Sequence, residues 1–227
     1  MRCLVTAGPT YEPVDQVRRL TNFSTGRLGG ELANYLADQG HTVHLLLAET
    51  ATWNGRVCAQ THERFSTTSD LRARLERLCG SDVQAVFHAA AVSDFASAGV
   101  WERGPGGEFR RVQAGKLPSQ AEGLFLELRP TPKLIRHLRA WFPEALIVGW
   151  KYEVDGVRRE ALARALSQLR ACRTSACVVN GPAYGPGYGV VHPDGRAEHQ
   201  ADAGALYGAL QRLALNPPAP VAGPGNR

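Results

Sequence analysis

The chain has 227 residues, 44% of them apolar, and a formal net charge of +5. This is enough to bury one sizeable core. The lack of any run of about 18 uninterrupted apolar residues excludes a membrane-spanning helix. The arginines are scattered along the chain and form no basic tract, which argues against a nucleic-acid partner.

Residues Cys3 to Ala7 read as a buried strand, reached from the N-terminus without a targeting segment. Leu28 to Gln39 follows with helical spacing, then a strand over Thr42 to Leu47, a helix over Ser69 to Leu78 and a strand over Val83 to Ala90. From Val100 to Leu128 the alternation is lost around Gly104, Pro105, Gly106 and Gly107, and hairpin strands are predicted near Glu108 to Val112 and Leu124 to Leu128. The βα pattern resumes with a helix over Pro132 to Trp141, a strand over Ala145 to Trp150, a helix over Val157 to Ala171 and a strand over Ala176 to Asn180. A hairpin over Val190 to His199 and a helix over Ala203 to Leu215 complete the pattern. The proline- and glycine-rich tail from Asn216 is predicted to be disordered. The expected fold is α/β, Rossmann-like and three-layered, with a mainly parallel sheet in one domain over residues 1–215 and an insertion at about 100–128.

Five cysteines, Cys3, Cys58, Cys79, Cys172 and Cys177, form no CxxC pair. They read as reduced thiols, with the cytoplasm as the expected compartment and no metal site in the chain. Only Lys116, Lys133 and Lys151 among the 26 basic residues are lysines. A compact ammonium differs from a guanidinium fork, so these three positions are candidates for chemistry.

The first strand ends in Thr6-Ala7-Gly8-Pro9-Thr10, where small residues let a ligand approach the carboxyl edge of a parallel sheet. An irregular loop through Glu12, Asp15 and Arg18 follows, and only then does Asn22-Phe23-Ser24-Thr25-Gly26-Arg27-Leu28-Gly29 open the helix. The Ser24 and Thr25 hydroxyls, the Gly26 amide and the first helical N–H groups would bind an anion such as phosphate at the positive end of the helix dipole. The same residues equally read as an ordinary Ser/Thr helix cap.

The stretch VTAGPTYEPVDQVRRLTNFSTGRLGGELA resembles the opening signature of the phosphopantothenate-cysteine ligases (phosphopantothenoylcysteine synthetases). Ala89-Ala90-Ala91-Val92-Ser93-Asp94-Phe95 is similar to that family's AAVAD-[YF] block, Ala114-Gly115-Lys116-Leu117 to its KIKK-like segment, and Arg129-Pro130-Thr131-Pro132-Lys133-Leu134 to its NPDIL loop. Gly149-Trp150-Lys151-Tyr152-Glu153 takes the place of GFAAET, and Val178-Val179-Asn180 that of the closing VAN.

The resemblance implies a ligase of coenzyme A biosynthesis that joins 4'-phosphopantothenate to L-cysteine through an acyl-nucleotide. CTP is favoured over ATP as co-substrate with Mg²⁺, and no flavin is expected in the chain. Asn22 and Lys116 would be catalytic. Gly8, Arg18, Ser24, Thr25, Gly26 and Arg27 would hold the substrate and its phosphate. Ala90, Asp94, Lys116, Thr131, Pro132, Lys133, Leu134 and Trp150 would surround the nucleotide.

The departures lie on the nucleotide side: Arg27 replaces a lysine, KIKK shrinks to Lys116, and Lys151 and Tyr152 replace small residues. The resemblance further implies a stand-alone ligase forming a homodimer through the insertion, with a separate decarboxylase as a possible partner. Two other readings remain at this stage. An NAD(P)-dependent oxidoreductase of the short-chain type lacks its G-x-G-x-x-G fingerprint and its Tyr-x-x-x-Lys pair here. A non-catalytic phosphopantothenate- or nucleotide-binding paralogue is favoured only by the altered block at 149–153.

Overall fold

The computed structural model describes residues 1–121 and 123–218. Its elements are β1 (Arg2–Ala7), the short hairpin β2 (Tyr11–Pro13) and β3 (Arg19–Thr21), α1 (Arg27–Asp38), β4 (Thr42–Ala48), β5 (Thr61–Phe65), α2 (Thr68–Arg77) and β6 (Ala85–His88). Then come β7 (Phe95–Arg103), β8 (Phe109–Arg111), β9 (Leu124–Pro130), a 3₁₀ turn (Leu134–Arg136), α3 (Leu138–Trp141), β10 (Leu146–Tyr152) and α4 (Arg158–Cys172). The last elements are β11 (Ala176–Asn180), β12 (Tyr188–Val191), β13 (Ala197–Gln200) and α5 (Ala203–Leu215).

Six strands pair in parallel in the order β5-β4-β1-β6-β10-β11, and β12 and β13 extend the β11 edge antiparallel. Numbering the parallel strands alone gives 3-2-1-4-5-6, the doubly wound order whose switch point lies between β1 and β6. The side-chain period of two divides the core. Val5, Val43, Leu45, Phe87 and Val148 pack under α1 and α5, whereas Leu4, Leu46, Val86 and Ile147 pack under α2 and α3. Ala161, Ala165 and Leu169 of α4 cover Cys177 and Val179. Burial raises the Cys3 thiol to about 11 and the Cys177 thiol to about 12, so both stay protonated packing groups. No helix among the described residues is long and apolar enough to cross a membrane.

The insertion departs from its predicted form. The strands near 108–112 and 124–128 do not pair with each other; both flank β7 in a separate three-stranded sheet of order β8-β7-β9. The sequence reading began this insertion too late, because the small residues Ala96, Ser97, Ala98 and Gly99 at the root of β7 carry no hydrophobic alternation. Every residue of β9 is exposed, and Leu124, Phe125, Leu126 and Leu128 remain between 37% and 46% accessible.

The predicted helix over 132–141 is also broken, into the 3₁₀ turn and α3. Lys133 is extended, and Phe142, which precedes Pro143, is forced out of the helical region. Most of the tail read as disordered lies outside the described residues, and Asn216 to Pro218 adopt neither helix nor strand.

Candidate active site

Beyond the sheet, the segments leaving β1 and β6 continue side by side. Pro9 bridges Ala91, the Ala91 N–H donates to the Gly8 carbonyl at 3.0 Å, and the Ser93 N–H donates to Thr10 Oγ1 at 2.8 Å. A cleft of about 860 Å³ opens above this ridge, at the switch point. One wall is the turn from Asn22 to Gly29, the floor runs from His88 to Val92, and the opposite wall comes from Lys133 to Ile135 and Trp150 to Tyr152.

The turn is held tightly against β1. Gly26 caps α1 with a φ of 78°, and a Cβ there would come within 3.3 Å of the Gly8 Cα and 3.2 Å of Leu47. Only glycine satisfies both the backbone and the space. The expected Ser/Thr cap is accordingly replaced: Gly26 is the capping residue, and Thr25 Oγ1 accepts only the Arg27 N–H, at 3.2 Å. Gly30 N–H bonds to the Gly26 carbonyl, while the amides of Leu28 and Gly29 have no partner among the described residues. Two free N–H groups thus face the cleft at the positive end of α1, beside the Ser24 and Thr25 hydroxyls.

Asn22 spans the cleft. Its Nδ2 donates to the carbonyls of Ala91 and Val92 at 3.3 and 3.4 Å, both long for N–H···O bonds and open to competition from a stronger acceptor. At the mouth, Lys133 forms an ion pair with Asp94, and the Thr131 N–H donates to the Asp94 carbonyl at 3.0 Å. Lys151 pairs with Glu153 at 3.2 Å, and Arg164 approaches the same carboxylate at 2.5 Å. Burial works against ionisation of Glu153, but these two cations outweigh it and hold the carboxyl below its usual range. On the floor, burial pushes the His88 imidazole down to about 4, so it is neutral at physiological pH.

A model of the DNA/pantothenate metabolism flavoprotein C-terminal domain matches residues 1–182. The chain belongs to this family. The bifunctional coenzyme A biosynthesis protein CoaBC of Thermococcus kodakarensis is 29% identical over 180 residues, covering 79% of the chain and 41% of the relative. The chain therefore spans about two fifths of that relative's length. Among solved structures, the DNA/pantothenate metabolism flavoprotein of Streptococcus pneumoniae shares the fold with a TM-score of 0.81 and 22% identity, covering 95% of the chain and 99% of its own. A Cab2 mutant in complex with phosphopantothenate-cysteine aligns with a TM-score of 0.68 and 18% identity, over 95% of the chain and 87% of its own.

Most of the sequence blocks that carry the resemblance converge on the cleft. Asn22, Ser24, Thr25, Gly26, Arg27, Ala90, Asp94, Lys133, Leu134 and Trp150 all line it. Arg27 is largely occupied by its own helix, its Nε lying 2.7 Å from Glu31.

Five predicted residues do not line the cleft. Gly8 lies beneath the Gly26 turn, and Thr131 and Pro132 belong to the hinge that sets Lys133 in place. Arg18 turns to Asp15 at 2.6 Å. Lys116 is exposed on a segment docked to the Asp15 to Arg18 loop: the Leu117 N–H donates to Asp15 at 2.9 Å, and the Gln16 N–H donates to the Gly115 carbonyl. The Leu117 amide, joined by the Val17 and Arg18 amides and the Arg18 guanidinium, draws the Asp15 carboxyl down to about 2.

Sequence reasoning missed His88 and Gln168, which also line the cleft, the Gln168 Nε2 donating to the Trp150 carbonyl at 3.0 Å. Their only signal was a titratable or amide side chain at the end of a core strand or on an inner helix face.

The fold argues against a dinucleotide site. Strand β1 and helix α1 are separated by the β2–β3 hairpin, so no glycine-rich turn joins them directly to pinch a pyrophosphate.

Proposed function

We propose that the chain joins 4'-phosphopantothenate to the amino group of L-cysteine, in the cytoplasm, through an acyl-nucleotide with CTP as the activating co-substrate. The observation that carries this reading is the union, in one cleft, of the free-amide turn over 22–29 with the Ala90, Asp94, Lys133, Leu134 and Trp150 wall. The first is suited to a substrate phosphate and the second to a nucleotide.

A carboxylate is inert to amines until it acquires a leaving group. In the first half-reaction the substrate carboxylate attacks the α-phosphorus of CTP, pyrophosphate departs, and an acyl-cytidylate forms. In the second, the cysteine nitrogen attacks the acyl carbon, CMP leaves with the bonding pair and the nitrogen loses a proton. The turn and its hydroxyls anchor the phosphate end of the substrate. Asn22, released from its long bonds to Ala91 and Val92, donates to the oxyanion that develops on the acyl carbon.

Mg²⁺ would arrive with the triphosphate and neutralise it. No group of three or more His, Cys, Asp or Glu residues suited to a metal occurs among the described residues, so Asp94 at the mouth is the carboxylate placed to assist. Pyrophosphate release measured with 4'-phosphopantothenate and each nucleoside triphosphate, with and without cysteine, tests the assignment. Release from CTP without cysteine, followed by CMP release on its addition, is expected; no release from any nucleotide would leave a binding protein.

The active unit in this reading is a homodimer built on the β8-β7-β9 arm, working beside a decarboxylase that receives the product. The outer edges of β8 and β9 are unpaired among the described residues, and β9 presents Leu124, Leu126 and Leu128 to solvent. A free strand edge with an apolar face is a surface that pairing across a two-fold axis covers. Lys116, away from its own cleft, is then available to a neighbour's. Light scattering at micromolar protein should report a dimer, and mixing Asn22→Asp with Lys116→Ala subunits should restore part of the activity that each lacks alone. A fully active monomer would remove the dimer; a dimer without complementation would remove the shared site.

A further inference from the structure

The floor of the cleft contains a histidine whose tautomer is fixed by its neighbours. His88 ends β6 and is 5% exposed, and its Nδ1 lies 2.9 Å from Thr6 Oγ1. Thr6 is completely buried, and its hydroxyl oxygen already accepts the Ala90 N–H at 3.2 Å. The hydroxyl has one hydrogen to give, and among the described residues the only acceptor within reach is His88 Nδ1. The opposite tautomer would make Thr6 Oγ1 accept twice and leave its buried hydroxyl hydrogen with no acceptor, which is costly. Nδ1 is therefore the acceptor and Nε2 carries the proton.

Nε2 has no protein partner among the described residues, and the ring lines the cleft. The wall facing this donor is mostly apolar, and the nearby Gln168 amide is engaged, its Nε2 donating to the Trp150 carbonyl at 3.0 Å. Leu134 and Ile135 form the facing wall, and Gly149, paired with His88 across the sheet, leaves room that a Cβ would close against Ile135. A neutral donor in apolar surroundings does not suit a triphosphate, whose charge is served by Lys133 and Lys151 at the rim. It suits an uncharged acceptor on a flat ring.

We propose that His88 recognises the nucleotide, donating from Nε2 to an acceptor atom on the edge of its base. This rests on the nucleotide-dependent reading above and adds a residue that determines which bases the cleft accepts. A base presenting a donor at that point would set two hydrogens against each other, and the buried Nε2–H would go unpaired.

The test uses the intact chain with Mg²⁺. In ¹⁵N-labelled unliganded protein, the His88 ring should show a protonated Nε2 and a bare Nδ1; the reverse tautomer or a charged ring overturns the proposal. Titration calorimetry then compares CTP binding between wild type and His88→Asn, whose side-chain oxygen can still accept from Thr6 while the donor is lost. Weakening of about tenfold is expected. His88→Gln, whose amide reaches the Nε2 position, should recover part of it, and binding of 4'-phosphopantothenate should change in neither variant.

Equal CTP affinity in wild type and His88→Asn, or no CTP binding by wild type, overturns the proposal. If the His88→Asn penalty vanishes with 2'-deoxy-CTP, the acceptor is a ribose hydroxyl and the base assignment falls. Failure of the ligase reading is separately visible as CTP binding without pyrophosphate release.

Discussion

Asn22→Asp is expected to form pyrophosphate and then stall, accumulating acyl-nucleotide that mass spectrometry detects, while overall turnover falls by about 10²- to 10³-fold. The side chain it replaces donates to Ala91 and Val92 carbonyls across the floor. A carboxylate at the same position offers only lone pairs to those carbonyls, so it is repelled from the floor and loses the contact that closes the turn over the cleft. It also brings negative charge to the place where the acyl oxygen must become negative. Activation should suffer less, because it develops charge on phosphorus-bound oxygens that the basic rim addresses. Turnover within twofold of wild type would eliminate the role of Asn22.

Gly29→Ala should damage the site far beyond what one added methyl group suggests. A Cβ at Gly29 would fall 2.6 Å from the Ala7 Cβ and 3.2 Å from both the Ala7 Cα and the Thr6 carbonyl, none of which can move without shifting β1. The overpacking should cost about 1–3 kcal/mol, lowering the melting temperature by roughly 2–4 °C per kcal/mol in a chain of this size. The larger effect is functional: relief requires α1 to back away from β1, carrying the free Leu28 and Gly29 amides with it, and a displacement near 1 Å can cost about 10²-fold in rate. Gly40, beyond the other end of the same helix, has φ +81° but open space around its Cβ. Gly40→Ala should therefore cost about 1 kcal/mol of backbone strain and leave pyrophosphate formation intact. Equal activity losses in the two variants would show that helix stability, not its seating on β1, governs the site.

The sequence was most informative where burial imposes a strong period. Strands β1, β4, β6, β10 and β11 and helices α1, α2, α4 and α5 all lie within about two residues of their predicted spans. Strand β5 escaped because it is a polar edge strand, THERF, in which only Phe65 is fully buried. The late start and the end of the helical segment predicted over 132–141 escaped because an extended Lys133 and the proline after Phe142 are local backbone limits that apolar spacing does not register, and the change from 3₁₀ to α at His137 leaves no mark in that spacing. The turn, the floor and the opposite wall of the cleft were legible in the sequence blocks around Asn22, Ala90, Lys133 and Trp150. The position of Lys116 was not, since it depends on the Leu117 amide meeting Asp15 across 102 residues of sequence. His88 was hidden for a similar reason: its character comes from Thr6, a strand away, and neither residue alone signals a donor.

The arm also leaves and rejoins the molecule at a single point. It departs at Asp94 and returns at Thr131, where the Thr131 N–H meets the Asp94 carbonyl and its hydroxyl meets Ser93. Two residues later stands Lys133, paired with the Asp94 side chain at the mouth of the cleft. Torque on the arm in the proposed dimer would be shared between this root and the Gly115 to Leu117 contact with the Asp15 loop, and an anion that draws Lys133 away from Asp94 would act at the root. In the proposed homodimer, self-association and nucleotide occupancy would then share one free energy: a nucleotide that tightens the dimer must bind the dimer more tightly by the same factor. Dilution would thus weaken nucleotide affinity, and ligand would lower the concentration at which subunits separate.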